Sequence, residues 1–550
     1  MSDQAALLAA IVANPDEDTP RLLYADWLDE NLPDKTPSPS SGPAARAEYI
    51  RVQCRLARLP FDDPDYPELL EREEDLAEWL AAHAPAEEAA PHLPADLDWF
   101  GTFDSGEDRE FGRGFPEQMH YTDYEDEPRD NIDRILPALA EAFANSTART
   151  LNMEDAYGSE IAGVVADPVA AGLRGLCVTN TAGDEDDLAV RALADSEHLS
   201  GLRLLQLTLR PGGDVLRRLV KAQHLGALEA LLLDYPSAAA LRALGEARWF
   251  RNLRVLRVWL DNRDALKAVA EFPRMPNLVS LALNGSIGPT TAAVRKFASS
   301  GSFPRLAKLE ISHARLAPEQ VALLARGGWP LRHLKLNRVL VRKAGAEALA
   351  AAPFAGTLRV LDLADCEISA GGVGALAASA PLAGLRRLDL TNNPVGTGGL
   401  AALVRSKHLR GLRVLALSGC NHSKAPLDAA ALFNFLSALD LPELRHLHLD
   451  RLPVGIRGAR VLGAGGSFGN LTRLSLHGCG LRENGTRAVV ESAALPNLTA
   501  LHMIDNAAGK GLSKLADPKT FPRLGGASVG QNRVPQSTLS RLRKRPGVWV

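Results

Sequence analysis

The feature that most constrains this chain is a nine-residue pattern that returns at a fixed interval. It reads LRVLDLADC from Leu358, LRRLDLTNN from Leu385 and LRVLALSGC from Leu412, so the three start positions are evenly spaced, 27 apart. Leucines occupy positions one, four and six, and an Asn or Cys occupies position nine. A repeat of this kind indicates a stack of similar structural units whose core lengthens with each copy.

Further copies of the pattern lie on both sides of these three. Strong copies begin at Leu202, Leu253, Leu278, Leu306, Leu331, Leu444, Leu471 and Leu498, and weaker ones at Ala148, Leu173, Leu228 and Leu524, which makes about fifteen copies at similar spacings. Leucines four and six alternate with polar residues, which predicts a short strand with one buried face. A parallel neighbour needs a crossover of about a dozen residues or more, and Ala-rich and Leu-rich segments such as GAEALAAAPFAG supply it as helices.

The pattern resembles the leucine-rich repeat, and the long helical crossovers are similar to those of its ribonuclease-inhibitor-like subclass, over about residues 115–545. The resemblance implies an α/β solenoid, a horseshoe with a concave parallel sheet and convex helices. Position nine would then lie in a turn, where its side chain bonds to backbone groups that no sheet partner satisfies. The copy at 412–443 is longer than its neighbours, and we expect its extra FNFLSALDLPEL to bulge on the convex side.

The residues before the array have a different pattern, which predicts three short helices in residues 1–60. Asn14-Pro15 ends the first helix, Pro20 can lie in the first turn of the second, and the third covers 46–59. The side chains expected on the buried faces are Leu7, Leu8, Ile11 and Val12, then Leu22, Leu23, Trp27 and Leu28, then Tyr49, Ile50, Val52 or Gln53, and Leu56. The segment KTPSPSSGP (35–43) is predicted to be a loop.

Two segments of this region, ANPDEDTPRLLYADWLDE and then RAEYIRVQ, occur in a known order. They resemble the repeat-companion domain of the planctomycete type over roughly residues 5–60, with a Pro/Ser insert between the two halves. That family is found beside repeat arrays and carries no established activity, so the resemblance implies no catalytic residues.

An acidic spacer, 61–112, follows this helical module, and 68–84 is its clearest predicted helix, with the charge run 71–78 as a solvated face. A strand is expected near 112–121, where the array starts, and another helix follows over 126–143. We therefore predict a helical module at 1–60, the spacer at 61–112 and a repeat solenoid at 113–550.

Charge is distributed unevenly along the 550 residues. Residues 1–130 hold 10 Lys+Arg and 32 Asp+Glu, a net of −22, and the rest holds 62 − 10 = 52 basic and 66 − 32 = 34 acidic residues, a net of +18. The N-terminus lacks the basic start of a signal peptide, no apolar run of about 18 residues occurs, and the five cysteines are scattered. These features predict a cytoplasmic protein with reduced thiols and no membrane span.

Candidate catalytic and ligand-binding motifs have simpler explanations. Ser528 lies in GASVG but within a predicted strand, whereas a nucleophile elbow needs a strand-turn-helix. Cys366, Cys420 and Cys479 all occupy position nine and lack CxxC spacing. GAGGSFG (463–469) follows a predicted helix and precedes a strand, whereas the glycine-rich fingerprint of dinucleotide-binding proteins follows a strand and precedes a helix. We predict no catalytic residue, no metal and no cofactor.

Positions three, five and seven point away from the buried leucines and form the expected binding face. In the three central copies and the other strong ones, position two is Arg seven times, beginning with Arg203 and Arg254. These arginines either cover leucines with their stems or form a cationic strip. The partner-binding candidates are Arg332, His333, Lys335, Arg359, Asp362, Arg386, Arg387, Asp389, Arg413, His446, His448, His477 and His502, and Arg445 completes the seven arginines. His448 and His502 would lie two strand spacings apart, too far to share one metal ion without a third group.

We therefore predict a non-enzymatic scaffold that acts as a monomer and binds a protein partner with an acidic surface on the concave face. Two alternatives remain open from the sequence. In the first alternative, the basic array binds nucleic acid or another polyanion, although it lacks a basic stripe with interleaved aromatic residues. Alternatively, the acidic N-terminal segment docks on the array and autoinhibits it.

Overall fold

The computed structural model describes residues 3–31, 42–59, 63, 66, 69–70, 72–73, 76–77, 80, 98–99, 118–122, 132–182, 185–208, 213–286, 288–545 and 547–550. The chain forms two compact units, the first built mainly from residues up to Leu309 and the second mainly from Glu310–Val550. Each unit combines short parallel strands with helices. Among the described residues, no helix is both long enough and apolar enough to cross a membrane.

In the first unit, β1 pairs antiparallel with β2, and the later strands pair in parallel in chain order. Its strands are β1 Asp98–Trp99, β2 Gln118–Thr122, β3 Thr150–Tyr157, β4 Gly175–Ala182, β5 Leu204–Thr208, β6 Ala230–Asp234, β7 Val255–Trp259 and β8 Ser280–Asn284, and β9 Lys308–Ser312 contains the boundary between the units. Its α-helices are α1 Asp3–Ala13, α2 Thr19–Glu30, α3 Gly42–Arg58, α4 Ile132–Asn145, α5 Gly158–Ala166, α6 Asp186–Asp195, α7 Gly213–Lys221, α8 Ala238–Gly245, α9 Ala265–Val269 and α10 Thr291–Ala298. Short 3₁₀ turns are Pro168–Gly172, Leu199–Gly201, Gln223–Ala227 and Trp249–Asn252.

The second unit repeats one strand and one helical segment per copy. Its strands are β10 His333–Asn337, β11 Val360–Asp362, β12 Arg387–Asp389, β13 Val414–Ala416, β14 His446–His448, β15 Arg473–Ser475, β16 Ala500–His502, β17 Gly526–Ser528 and β18 Val548–Trp549. Its α-helices are α11 Pro318–Leu324, α12 Arg342–Ala350, α13 Ala370–Ala378, α14 Gly396–Arg405, α15 Ala429–Ala438, α16 Gly455–Gly463, α17 Arg482–Val490 and α18 Gln536–Leu542. Three 3₁₀ segments are Pro381–Gly384, Gly466–Phe468 and Gly509–Ala516.

The strand register follows the sequence repeat. Position three of one copy pairs with position three of the next, as in Val360 with Arg387 and then Val414. The same register runs from Thr150 to Ser280 in the first unit. The predicted copies are therefore confirmed as structural repeats. The predicted strand near 112–121 is confirmed as β2, which pairs with β3.

The leucines at positions one, four and six form the core. Leu358, Leu361 and Leu363 have no solvent exposure, and Val373 and Leu376 of the following helix are equally buried. Each such side chain contributes roughly 1.5–3 kcal/mol through its burial. The core repeats with the sequence, so every copy depends on its neighbours for burial.

The turn after each strand uses the same two positions in most copies. Position eight has a positive φ at Asp365 (56°) and Asn392 (57°), a backbone region in which Asn, Asp and Gly are least strained. Further position-eight residues with positive φ are Asp155, Tyr235, Gly285, His313, Arg338, Gly419, Arg451, Gly478, Asp505 and Gln531. The left-handed residue reverses the chain, and position nine then returns inward.

Position nine bonds the turn, as the sequence predicts. Asn393 donates from Nδ2 to the carbonyl oxygens of Leu363 (2.8 Å) and Leu390 (2.9 Å). Its Oδ1 accepts the backbone N–H groups of Cys366 and Ile368. The thiol of Cys366 donates to the carbonyl of Leu336 at 2.6 Å. Burial raises the pKa of the thiols of Cys366, Cys420 and Cys479 to about 12.

The N-terminal helices pack as a small cluster within the first unit, around residues such as Ile11, Ala25 and Ile50. The three predicted helices are confirmed, but Leu23 is 52% exposed. The buried face of α2 is instead formed by Tyr24, Ala25 and Leu28, and Leu23 lies on a different side of the helix. Residues 35–41 of the predicted loop lie outside the described residues, and 42–43 belong to α3.

The acidic spacer is described only in part. Its described residues 69–70, 72–73, 76–77 and 80 are helical. The prediction of a solvated charge run is wrong at Glu73, which is buried and accepts a hydrogen bond from Nε2 of Gln53 at 2.6 Å. Arg72 pairs with Glu48 of α3, so this segment contacts the helical module.

The long copy at 412–443 has its extra residues in a different place from the predicted one. Helix α15 begins at Ala429 in the copy that starts at Leu412, whereas α14 begins at Gly396 in the copy that starts at Leu385. The connection from strand to helix is therefore the longer part of this copy, and the insertion lies in 421–428. Most of FNFLSALDLPEL is ordinary helix and turn. Asp428 caps α15 by accepting the N–H of Ala431, which fixes the start of the helix.

Candidate functional site

The second unit carries polar side chains on the side of the strands opposite to the leucine core. We call this surface the outer face and define it by positions three, five and seven of the copies. Register aligns position three as His333, Val360, Arg387, Val414, His446, Arg473 and Ala500, and position five as Lys335, Asp362, Asp389, Ala416, His448, Ser475 and His502. The structure thus brings eight of the predicted binding residues into two adjacent rows.

Two carboxylates face each other in the position-five row. Asp362 and Asp389 are register partners on β11 and β12. Each accepts the backbone N–H two residues later, Asp362 that of Ala364 (3.0 Å) and Asp389 that of Thr391 (2.8 Å). Burial and the charge of Asp389 raise the pKa of Asp362 to about 6, although the Ala364 amide and two nearby cations oppose this shift.

Those two cations lie on β10 and β12, close to Asp362. Lys335 is the register partner of Asp362 on β10, and Arg387 lies on β12. Lys335 also contacts Glu310, with 3.5 Å between Nζ and Oε1, and both side chains are largely buried. This part of the outer face therefore carries both signs of charge in a partly dehydrated setting.

Histidines occupy the next part of the outer face. His446 and His448 lie on β14, and His446 is only 3% exposed. Burial lowers the pKa of His448 to about 3. The proximity of His446 and the charges of Arg473 and Arg387 act in the same direction, whereas the charge of Asp450 opposes the shift. His448 is therefore a neutral imidazole at physiological pH.

The structure does not bring the histidines together as a metal centre. Ser475 stands between His448 and His502 in the row, which leaves the two imidazoles two strands apart, as predicted. Within the described ranges, no group of three or more His, Cys, Asp or Glu side chains has a geometry that could hold a metal ion.

Asp450 organises the turns beside the histidines, and it was not among the predicted binding residues. Its carboxylate accepts hydrogen bonds from Oγ of Ser418 (2.9 Å), from Oγ of Ser475 (2.5 Å) and from the backbone N of His477 (2.8 Å). These bonds fix His477 at position seven of its copy. The sequence contains a sign of this arrangement, because serines stand at positions seven and five of the two neighbouring copies.

The position-two arginines lie on a different surface from the outer face. Position two has the same parity as leucines four and six, so the side chain leaves the strand on the helix side. Arg359 donates from Nη1 to the carbonyl of Leu358 at 3.0 Å, and Arg386 donates to that of Gly411 at 2.9 Å. The predicted binding residues Arg332, Arg359, Arg386 and Arg413 therefore do not join the histidines and carboxylates.

These arginines form a regular series at the amino-terminal ends of the strands. We call Arg332, Arg359, Arg386, Arg413 and Arg445 the arginine ladder. The backbone N–H of each member after the first bonds to the carbonyl of the member before it, at 2.7–2.8 Å. Burial and the charges of Arg332 and Arg386 lower the pKa of Arg359, so neighbouring guanidinium groups are close enough to repel each other.

Glycines give the guanidinium groups their space. A methyl group at Gly384 would collide with Nη1 of Arg359, and one at Gly411 would collide with Nη1 of Arg386. In each case the glycine directly precedes the leucine that starts the next copy. The arginine of one copy thus lies over the backbone of the next.

The first unit shows what the same position can bind. Arg174 and Arg203 are the position-two residues of consecutive copies, and both pair with Asp16, at 3.3 Å and 4.0 Å between nitrogen and oxygen. Asp16 lies between α1 and α2 of the N-terminal helices. Arg174 belongs to one of the weaker copies and was not among the seven predicted arginines, although the strand register marks its position.

The sequence motifs weighed for catalysis and phosphate binding have ordinary structural roles. Ser528 ends strand β17 and is followed by Val529, with α18 beginning only at Gln536, so no nucleophile elbow forms around it. In GAGGSFG, α16 ends at Gly463, and Gly465 has a φ of 82°, which fits the predicted helix-terminating loop.

Parallel strands, buried leucines and a helical segment in each copy give this chain an α/β solenoid fold of the leucine-rich-repeat type. The family model described as "Leucine Rich repeat" matches residues 357–377 and 385–404. These residues cover the first two of the three evenly spaced central copies. No curated protein sequence matches the chain.

Solved structures with similarity to this chain include one from yeast and one from a bacterium. The crystal structure of the Rad7 and Elc1 complex in yeast shares 19% identity, covering 66% of this chain and 92% of that chain with a TM-score of 0.37. A crystal structure of an internalin (inlF) from Listeria monocytogenes shares 17% identity, covering 69% of this chain and 85% of that chain with a TM-score of 0.31.

Proposed function

We propose that this chain is a non-enzymatic binding protein that holds a protein partner on the outer face of the second unit. The repeat pattern predicts this face to be the concave one. The observation that carries the proposal is the pair of rows across strands β10–β16, in which ten of the fourteen residues are polar or charged at positions that the leucine core does not need.

The size of these rows suits a protein partner. Seven neighbouring strands span six spacings of about 4.8 Å each, or roughly 29 Å. A protein interface of standard size buries about 800 Å² on each side, which needs a surface of this extent. Distributed contacts along a row also fit repeat proteins, which bind through extended surfaces.

The electrostatic setting supports specific recognition. Asp362 and His448 are already partly dehydrated, as the shifts of their pKa to about 6 and about 3 indicate. A partner that covers such groups displaces less water from them than from fully hydrated side chains. The acid pair would receive a cationic side chain of the partner, and the neutral His448 would take a hydrogen bond.

Charge reversal on the outer face tests this proposal. We expect Asp389→Lys in the full chain to abolish capture of the partner. The substitution replaces a carboxylate that would pair with a cationic side chain of the partner by a side chain that repels it. Arg405→Glu is the matched control, since Arg405 lies exposed on α14, on the other side of the strands. The readout is quantitative mass spectrometry of captured proteins, followed by calorimetry with each purified candidate.

A partner that is lost with Asp389→Lys and kept with Arg405→Glu, and that binds directly in calorimetry, supports the proposal. Equal binding of a purified partner to both variants would exclude the outer face as the binding surface. Thermal unfolding of both variants shows whether each remains folded.

A further inference from the structure

We propose that the arginine ladder is a second docking surface, and that it binds an acidic segment of a partner protein along the amino-terminal ends of β10–β14. This inference adds to the proposed function and does not depend on the outer face. Five consecutive copies have arginine at position two, and backbone hydrogen bonds hold these positions about one strand separation apart.

The fold does not require arginine at this position. The two copies that follow the ladder have Thr472 and Thr499 at position two. Their hydroxyl groups donate to the carbonyls of Arg445 (3.4 Å) and Thr472 (3.1 Å), so a small polar side chain serves the turn. Five successive arginines place like charges side by side, as the lowered pKa of Arg359 reflects, and the leucine core gains nothing from their charge.

The first unit provides a precedent for the ligand. There a single carboxylate, Asp16, lies within 3.3 Å of Arg174 and 4.0 Å of Arg203, bridging two successive position-two arginines. Arg254, at the same position of a later copy, contacts Glu229 at 3.5 Å. Three position-two arginines of the first unit thus meet carboxylates supplied by this chain.

Among the described residues of the second unit, three neighbouring members of the ladder have no such carboxylate beside them. Across the ranges that the structure describes, no Asp or Glu forms an ion pair with Arg332, Arg359 or Arg386. Arg359 and Arg386 each use Nη1 for a backbone carbonyl, which orients the guanidinium group. A guanidinium has five N–H donors, so several remain for an external carboxylate.

The spacing suits an acidic protein segment. Side chains three and four residues apart on a helix are about 5–6 Å apart, close to the separation of about 4.8 Å between neighbouring strands. A segment with Asp or Glu at such intervals can place one carboxylate between each pair of guanidinium groups, as Asp16 does. Bidentate pairing with carboxylates is also the geometry in which arginine binds best.

A peptide-binding assay on the full chain tests the inference. The probe is a fluorescein-labelled peptide of twelve glutamates, with a twelve-residue glutamine peptide and a dT20 oligonucleotide as comparisons, measured by fluorescence anisotropy at 50 and 300 mM salt. The ladder variant combines Arg332→Thr, Arg359→Thr and Arg386→Thr, following the threonines of later copies.

The control variant removes the same number of charges from exposed helix positions, with Arg405→Thr, Arg460→Thr and Arg541→Thr. We expect the glutamate peptide to bind the unaltered chain, to bind the ladder variant at least tenfold more weakly, and to bind the control variant within twofold of the unaltered chain. Higher salt should remove most of the difference, because the contacts are ion pairs.

Equal affinity of the two variants would overturn the inference, as would no binding to the unaltered chain. Binding of dT20 as tight as that of the glutamate peptide, with the same loss in the ladder variant, would also overturn it in favour of a general polyanion site. Asp389→Lys should leave peptide binding unchanged, which separates a failure of this inference from a failure of the outer-face proposal.

Discussion

Asp362 and Asp389 occupy the same position on adjacent strands, so the charge of Asp389 opposes ionisation of Asp362 in the folded chain. The folded-state pKa of Asp362, about 6, lies above its value of about 3.9 in an unfolded chain. The folded state therefore holds the proton more tightly, and stability falls as the pH rises from about 4 to about 6.

Replacing this carboxyl group should stabilise the protein at neutral pH. We expect Asp362→Asn to raise the free energy of unfolding by about 1–2 kcal/mol at pH 7.5 and to change it little at pH 4, where the carboxyl is protonated. The amide oxygen can still accept the N–H of Ala364. Urea unfolding at both pH values measures this, with the exposed Asp440→Asn as control. A destabilised variant at pH 7.5 would contradict the expectation.

His448 should have the opposite pH dependence. Its folded-state pKa is about 3, below the value of about 6.5 in an unfolded chain, so acidification charges the unfolded state first. Stability is lost as the pH falls from about 6.5 towards 3. We expect His448→Gln to reduce the loss between pH 7 and pH 5 by about 2 kcal/mol, measured by urea unfolding. The half-buried His408 supplies the control His408→Gln, and equal losses in the two variants would refute the assignment.

Asn393 should be among the least replaceable residues of the second unit. Its side chain bonds three carbonyl oxygens and two backbone N–H groups, and it has no solvent exposure. Asn393→Ala leaves these backbone groups buried without partners, and we expect a loss of about 3–5 kcal/mol. Asn470→Ala removes a single exposed bond, to Pro442, and should cost less than about 1 kcal/mol. Chemical unfolding of both variants provides the measurement, and similar losses would argue against the buried network.

Two glycines in helices should respond in opposite directions to alanine. A methyl group at Gly463 of α16 would collide with the backbone carbonyl of Ala488 in α17, so Gly463→Ala should destabilise by about 1–3 kcal/mol. Gly374 lies inside α13 with nothing near its missing side chain, so Gly374→Ala should stabilise by about 0.5–1 kcal/mol. Thermal unfolding distinguishes the two, and a stabilising Gly463→Ala would show that the helices can separate without cost.

The sequence predicted the register of the repeats because apolar residues, mostly leucines, occupy positions one, four and six of the copies. It also predicted the turn role of Cys366, since position nine recurs as Asn or Cys. The location of the insertion could not be read from apolar periodicity, because the helix of that copy has the same apolar pattern and the same length as the helix before it. Pro426 and the helix cap Asp428 were the local signs of a loop before α15.

The candidate site was predictable as a set of rows but not as a set of contacts. Parity placed Asp362, Asp389 and His448 on the outer face, whereas for the arginine side chains it gave only the side on which they leave the strand and not where the guanidinium groups lie. Their direction depends on Gly384 and Gly411, whose missing side chains leave room that only the folded copies define. The role of Asp450 arises from the hydroxyl groups of Ser418 and Ser475 in two other copies; their positions in the repeat are a sign of it, but the bonds themselves are seen only in the folded chain.

The buried thiols of position nine also allow local unfolding of the second unit to be measured without an added label. With a pKa of about 12, Cys366, Cys420 and Cys479 hold almost no thiolate at neutral pH and cannot meet an alkylating reagent while their copies are closed. Each becomes reactive only when its own turn opens. The alkylation rate of each cysteine under mild denaturation therefore reports how readily its own copy opens. Comparing the three rates shows the order in which three places along the solenoid unfold.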